Sequence, residues 1–145
     1  MQKIHFTITI NAPKEKVWHT MLDKETYTQW TTAFSPNSTY QGDWSEGSEI
    51  RFVDTSGSGM FSKIKENRMY EFVSIEHLGM VSSGVIDTTS DEVKKWTPAF
   101  ENYTFTEDGE VTTVNVDMDV NDEYKDSFNE MWPKALQALK ELAEK

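Results

Sequence analysis

The sequence predicts an α+β fold in which a curved antiparallel β-sheet wraps around one long C-terminal α-helix. Apolar and polar residues alternate in segment after segment up to Val120, and turn signals containing glycine separate these segments. One long amphipathic segment follows them. An antiparallel sheet of this size has an apolar face that must be covered, and the terminal helix is the one element long enough to cover it. We therefore expect a single domain over residues 1–145.

The chain begins with a predicted strand and two short helices. In MQKIHFTITIN every second residue from Ile4 to Ile10 is apolar, which is typical of a half-buried strand. The segment NAPKEKVWHTML predicts a first helix, because Pro13 suits the first helical position and apolar residues recur four positions apart. The segment DKETYTQWTTAF predicts a second short helical piece that ends before Pro36.

Residues 38–120 predict a series of antiparallel strands. The segment GDWSEGSEIRF predicts a hairpin whose turn, SEG, places Gly47 in the left-handed region. Trp44 is expected to pack across this hairpin and to fix the register that turns Ile50 and Phe52 inward. A polar insertion, TSDEVKK, precedes a second hairpin that turns at Asp108–Gly109. In the last strand, one face is expected to carry Thr112, Val114, Val116, Met118 and Val120.

The segment NDEYKDSFNEMWPKALQALKELAEK predicts the long terminal helix. Asn121 can cap its first turn, and an apolar stripe runs along one face. The stripe comprises Tyr124, Phe128, Met131 or Trp132, Ala135, Leu139 and Leu142. Pro133 removes the hydrogen bond to the Asn129 carbonyl, which costs about 3 kcal/mol in a regular helix interior. We expect a kink there that opens room for a cavity between the helix and the sheet.

The composition excludes several classes of function. A net charge of −11 repels phosphate backbones and anionic lipid surfaces, so no nucleic-acid partner is expected. The chain has no cysteine and no apolar segment long enough for a signal peptide or a membrane span, which is typical of a cytoplasmic protein without integral membrane contact. The acidic segment DMDVNDEYKD lacks the glycine and the final glutamate of a calcium loop. We expect no metal site and no cofactor.

Three residues are candidates for acid–base chemistry: His77, Glu101 and Asp54. His77 is in phase with two β-branched residues of its strand, so it faces the interior if they do, although apolar residues of the opposite phase leave that facing open. Glu101 and Asp54 are each in phase with inward-facing aromatic residues, where a carboxylate needs a partner. A Glu101–His77 or an Asp54–Arg68 pair could support acid–base catalysis, and a structural ion pair would leave the same pattern.

The aromatic residues predict a pocket with apolar walls and a few polar anchors. Aromatic residues make up 12% of the chain, and many fall on elements that should surround the space under the terminal helix. The same rings could equally be ordinary core packing. The candidate ligand-binding residues are Trp30, Phe34, Phe52, His77, Trp96, Phe100, Tyr103, Phe128 and Trp132.

Four segments together resemble one known group of proteins. They are ITINAPKEKVWHTMLD, GDWSEGSEIRF, ENYTFTE and FNEMWPKALQALKELAE, which span nearly the whole chain in order. The sequence resembles the START-like, or helix-grip, superfamily, and more closely the activator-of-heat-shock-protein-90-ATPase-like family. The resemblance implies a helix-grip fold, with the curved sheet around the C-terminal helix and two short helices after the first strand.

The resemblance also implies a function. Members of the superfamily typically bind lipids, sterols, polyketides or other apolar molecules between sheet and helix, and some are cyclases, dehydratases or hydrolases. We therefore expect binding of a small, largely apolar ligand that is lipid-like or polyketide-like. One alternative is an enzyme of cyclase or hydrolase type that uses His77 with an acidic partner. The other is a chaperone-interacting protein akin to the family's eukaryotic co-chaperone, whose additional N-terminal domain has no counterpart in residues 1–145. We expect a monomer or a weak dimer.

Overall fold

The elements follow one another in the predicted order. The computed structural model describes residues 1–145. The strands are β1 (Gln2–Ile10), β2 (Thr39–Gly42), β3 (Glu49–Val53), β4 (Gly59–Arg68), β5 (Phe72–Ser82), β6 (Val85–Asp87), β7 (Ala99–Asp108) and β8 (Val111–Val120). The helices are α1 (Lys14–Leu22), α2 (Lys24–Trp30), α3 (Asp91–Lys94) and α4 (Lys125–Ala143), and single 3₁₀ turns cover Thr31–Ala33 and Asp122–Tyr124.

All eight strands belong to one antiparallel sheet. They hydrogen-bond in the order β1-β8-β7-β5-β4-β3-β2, and β6 pairs with β5 outside this path. The first and last long strands are neighbours, because β1 pairs with β8 along its whole length, with Gln2 opposite Val120 and Ile10 opposite Thr112. The α+β fold class predicted from the sequence is confirmed, with α4 packed on the sheet.

The core lies between one face of the sheet, here called the inner face, and the helices. α4 contacts β1 and the two short helices that follow β1, α1 and α2. On β8 the five residues predicted to share one face are all buried, as expected for the covered side of an antiparallel sheet. The residues that α4 buries are Trp132, Ala135, Leu136, Leu139 and Ala143.

The start of the terminal helix differs from the prediction. Asn121 makes no side-chain capping bond, since a 3₁₀ turn closed by Tyr124 N–H on the Asn121 carbonyl precedes the α-helix. This turn directs Tyr124 to solvent, where 54% of it is exposed, so the apolar stripe begins at Phe128 instead. The helix continues through Pro133, and Trp132 and Ala135 on either side of the proline are both buried. Both residues belong to the core cluster, so α4 is packed against the core at the position where the sequence predicts a kink.

Two local features escaped the pattern. The polar segment TSDEVKK contains α3, whose four residues are too few to show helical periodicity. Ser90 caps it by accepting a hydrogen bond from the Val93 N–H at 3.3 Å. The segment VSSGVIDT forms a hairpin, because Ser83 and Gly84 both adopt positive φ and turn β5 back into β6.

The β2–β3 hairpin is tied to the end of α1 by Trp44. Its ring packs against Tyr40 and Phe52, with centroids 5.5 Å and 5.7 Å away, which joins the two strands as predicted. Its indole N–H donates to the Leu22 carbonyl at 3.1 Å, and the Tyr40 hydroxyl donates to the same oxygen. Because two donors satisfy one helix-end carbonyl, the hairpin also closes the C-terminus of α1.

Replacing either of two glycines in this hairpin by alanine is expected to lower the stability, by a different amount at each position. Gly47 has a φ of 86° with open space around it, so Gly47→Ala is expected to cost about 1–2 kcal/mol from backbone strain alone. Gly42 has a φ of 116°, and a Cβ there would lie 2.6 Å from the Glu49 carbonyl oxygen. Gly42→Ala is therefore expected to cost about 2–3 kcal/mol. Urea unfolding of both variants measures the difference, and equal losses would show that the contact with Glu49 relaxes freely.

No helix in the structure has the length and apolar character needed to cross a membrane.

Candidate functional site

A hydrogen-bonded group of four polar side chains lies on the inner face of the sheet. The Ser62 Oγ atom lies 2.6 Å from His77 Nδ1, and His77 Nε2 lies 3.0 Å from Glu101 Oε1. The Tyr103 hydroxyl donates to the other carboxylate oxygen, Oε2 of Glu101. We call these four residues the polar network. It joins β4, β5 and β7 in an interior that is otherwise built of apolar and aromatic side chains.

The register of the sheet brings the polar network together. Val73, Ile75 and His77 are all buried, which places His77 on the inner face. His77 pairs across the strands with Ser62 on one side and Ala99 on the other, so Glu101 is its diagonal neighbour on β7. Diagonal neighbours in a sheet lie within reach of long side chains. A β-bulge between Phe61 and Ser62 shifts the register of the β4–β5 pairing just beyond this row.

One protonation state of the polar network gives every hydrogen-bond donor an acceptor. With a neutral imidazole, Ser62 donates to Nδ1 and the proton on Nε2 is donated to Glu101, so the network assigns the tautomer of His77. Both oxygens of Glu101 then accept one hydrogen bond each. Ser62 is fully buried, so its role is to orient the imidazole. The network can therefore hold or move a proton between an imidazole and a carboxylate.

Two phenols near Glu101 stay protonated. Burial raises the pKa of Tyr103 well above its ordinary value, and the negative charge of Glu101 raises it further. Burial also raises the pKa of Tyr27, again with a contribution from Glu101. Both side chains are consequently hydrogen-bond donors at any physiological pH. Tyr27 was not singled out in the sequence, where nothing distinguishes it from other aromatic residues on short helices.

Besides Tyr103, five of the predicted aromatic residues lie in the interior with the polar network. Trp132 on α4 is the centre of this group, with Phe34 at 5.0 Å, Trp30 at 6.0 Å and Tyr103 at 6.1 Å between ring centroids. Phe52 lies edge-on to the imidazole of His77 at 6.0 Å. Phe128 is partly buried on α4 and packs against the same core.

Two other predicted aromatic residues lie elsewhere. Phe100 pairs with Glu76 and alternates with Glu101 along β7, so it lies on the outer face of the sheet, away from α4. Trp96 follows α3 and does not pack against the main core cluster. We therefore remove both from the candidate ligand-binding residues.

Asp54 is not part of the site either. It lies in the turn after β3, where its carboxylate accepts hydrogen bonds from the Ser56 N–H at 2.8 Å and the Ser56 hydroxyl at 2.5 Å. These bonds lower the pKa of Asp54 below its ordinary value, as is usual for a carboxylate that stabilises a turn. The predicted Asp54–Arg68 pair does not form, because Arg68 lies at the far end of β4 and pairs with Glu66 at 2.9 Å.

Side chains fill the space between the inner face and α4, where the sequence predicts a cavity. Two surface concavities lie beside the short helices instead. One is formed by α1 and α2 and has no hydrophobic lining, and the other adjoins Trp18, Trp44 and Met69. No group of three or more histidine or acidic side chains is placed to hold a metal ion.

An antiparallel sheet packed on a long C-terminal helix, with short helices after the first strand, is the helix-grip architecture of the START-like superfamily. Residues 11–144 match the family described as Activator of Hsp90 ATPase homolog 1-like protein, and the chain belongs to this family. It thus belongs to a group whose members bind small ligands. No curated protein matches the sequence.

Solved structures with low sequence identity share the fold. The Aha1 dimer from Colwellia psychrerythraea is 18% identical with a TM-score of 0.74, and the match covers 99% of this chain and 97% of that one. CalU16 from Micromonospora echinospora is 16% identical with a TM-score of 0.67, covering 97% of this chain and 75% of that one. DynU16, from the dynemicin biosynthetic locus, is 14% identical with a TM-score of 0.72. The match covers 97% of this chain but only 46% of DynU16.

Proposed function

We propose that this protein binds a small, largely apolar ligand, lipid-like or polyketide-like, between the inner face of the sheet and α4. The observation that carries the proposal is the polar network of Ser62, His77, Glu101 and Tyr103 inside an aromatic interior. Ligand sites in proteins are typically apolar with a few polar groups that fix orientation. Phe34, Phe52, Phe128 and Trp132 supply the apolar wall of the proposed site.

A core built only for stability has little use for this network. Replacing both partners of a buried polar pair by apolar side chains of similar volume is often neutral or stabilising, so burying His77 against Glu101 is not the most stable way to fill the space. The side chain of His77 is 6% exposed and that of Glu101 is 15% exposed. The carboxylate is thus the more accessible end of the pair, where a ligand would make its first polar contact.

Binding requires aromatic side chains to move, because they occupy the proposed site. Phe34 and Phe52 are the best placed to do so, since both are only partly buried at the edge of the core. Phe34 follows the 3₁₀ turn after α2, and Phe52 lies on β3 beside the edge strand β2. Rotation of either ring is a far smaller change than displacement of α4, which is packed along its length.

A fluorescent hydrophobic probe tests the proposal, with two half-buried phenylalanines as a matched pair. N-phenyl-1-naphthylamine should bind saturably and be displaced by apolar compounds. Phe52→Ala, on the inner face, should change the probe's dissociation constant about tenfold, whereas Phe100→Ala, on the outer face, should change it less than about twofold. Absence of saturable binding, or equal effects of the two substitutions, would refute the proposal.

A second candidate function is acid–base catalysis on the bound ligand. The observation that favours it is the distance of 3.0 Å between His77 Nε2 and Glu101 Oε1, which orients an imidazole for proton transfer. Native mass spectrometry can identify a compound that copurifies with the protein, and the recovered mass can be compared after incubation with wild type and with His77→Gln. A hydrolase would change that mass and a cyclase would change the compound's chromatographic retention, in each case only when His77 is present. An unchanged mass and retention with the wild type contradict this candidate and leave the binding proposal standing.

A further inference from the structure

We infer that the ligand presents an uncharged hydrogen-bond acceptor, such as a ketone or ester carbonyl, to the indole N–H of Trp132. This inference rests on the binding function proposed above. It names the chemical class of the ligand's polar group and the residue that recognises it. Two independent observations carry it: an unpartnered donor in the core and the distribution of charge around that donor.

The first observation is that Trp132 Nε1 is buried without a hydrogen-bond partner. Only 2% of this residue is exposed. The other tryptophans of the region satisfy the same group, since Trp30 donates to the Met21 carbonyl at 3.0 Å and Trp44 to the Leu22 carbonyl at 3.1 Å. Buried indole N–H groups usually find a partner, so an orphan in the middle of the proposed site calls for one from outside the chain.

The surroundings of the indole allow such a partner to reach it. Trp132 stacks on Phe6 at an interplanar angle of 21°, and Phe34 approaches at 67°. Phe34 is partly buried on the segment after α2, so its rotation would uncover the indole without moving the sheet. Tyr103 lies beside the same ring and donates a hydrogen bond from its hydroxyl to Glu101. An acceptor at Trp132 would therefore sit next to the polar network.

The second observation is that the interior offers no free cation. No lysine or arginine is among the buried residues. The imidazole of His77 is already engaged at both nitrogens, and Glu101 brings a carboxylate into the same space. A ligand carboxylate would have to lose its water without gaining an opposite charge, which is strongly unfavourable. An ammonium group could meet Glu101 but cannot accept from the Trp132 N–H.

Two ligands of equal chain length test the inference: methyl nonyl ketone and undecanoate, at about pH 7.5, where the acid is ionised. Each is titrated against protein loaded with N-phenyl-1-naphthylamine. The ketone should displace the probe with at least about tenfold higher affinity than the carboxylate. Trp132→Phe should lower the ratio of ketone affinity to probe affinity about five- to tenfold. Trp44→Phe is the matched control, because its N–H is already bound within the protein and it is not one of the candidate ligand-binding residues.

A measurement on the wild-type protein covers the case in which Trp132→Phe does not fold. The assigned indole N–H resonance of Trp132 should move downfield when the ketone is added and stay unmoved with undecane. Glu101→Gln should raise the affinity for undecanoate, since it removes the nearby negative charge.

Equal affinities for ketone and carboxylate, or a Trp132 N–H resonance that does not shift when the ketone is added, would overturn the inference. If the probe still binds in that case, the proposed function stands. Failure of the probe and of both ligands to bind the wild type would overturn the proposed function itself.

Discussion

Trp132→Ala is expected to lower the free energy of unfolding by about 3–5 kcal/mol, as is typical when a large core aromatic side chain is truncated. Trp132 is almost fully buried and lies within 6.1 Å, centroid to centroid, of four other rings: Phe6, Trp30, Phe34 and Tyr103. It joins α4 to β1, α2 and β7 at once, so no single neighbour can move to fill the space. Urea unfolding followed by circular dichroism measures the loss.

A substitution at an exposed aromatic residue just before α4 controls for the loss of an aromatic side chain as such. Tyr124→Ala removes an aromatic side chain that is 54% exposed, so it should change stability by less than about 0.5 kcal/mol. Trp132→Phe keeps a ring in the core and should lose less than Trp132→Ala. A loss below about 1 kcal/mol for Trp132→Ala would mean that the aromatic interior is loosely packed and collapses around the vacancy.

Much of the fold follows from residue alternation alone. The pattern of β8 predicted which five residues share one face, because side chains of a strand have a period of two, and all five are buried. The alternation was less decisive on β7, where the sequence analysis placed Phe100 inside together with Glu101. Neighbouring residues of a strand point to opposite faces, and the pairing of Phe100 with Glu76 settles which one is outside. Aromatic character outweighed strand phase in that prediction, and it was wrong for Phe100.

The candidate site was harder to predict than the fold. His77 and Glu101 were both singled out, yet they are 24 residues apart and meet only because β5 and β7 pair in one particular register. Sequence periodicity fixes which face a side chain lies on but not which residue lies opposite. Ser62 was missed, although a polar residue in phase with the buried Ile64 is a detectable signal. The filled interior was unpredictable, since it depends on side-chain packing rather than on pattern.

His77→Leu is expected to lower the free energy of unfolding by about 3 kcal/mol, because it leaves one oxygen of the Glu101 carboxylate and the hydroxyl of Ser62 without a partner in the interior. Glu101→Gln should cost less, since an amide oxygen can still accept from Tyr103. His77→Leu should lower the free energy of unfolding less in the Glu101→Gln background than in the wild type, which corresponds to a coupling energy of about 1–2 kcal/mol. His5→Leu, at an exposed position on the outer face, should change stability by less than about 0.5 kcal/mol.

The double-mutant cycle also separates a structural from a binding role for the polar network. If the network serves only packing, the coupling should appear in urea unfolding. The affinities for probe and ketone should then change together, and only in proportion to the fraction of each variant that is unfolded. If the network also orients a ligand, fully folded Glu101→Gln should in addition change the ratio of the affinities for ketone and carboxylate. Additive stability losses, within about 0.5 kcal/mol, would mean that the contact of 3.0 Å between His77 and Glu101 contributes no net pairing energy. The stability and selectivity of the same four proteins therefore answer two different questions about one pair of side chains.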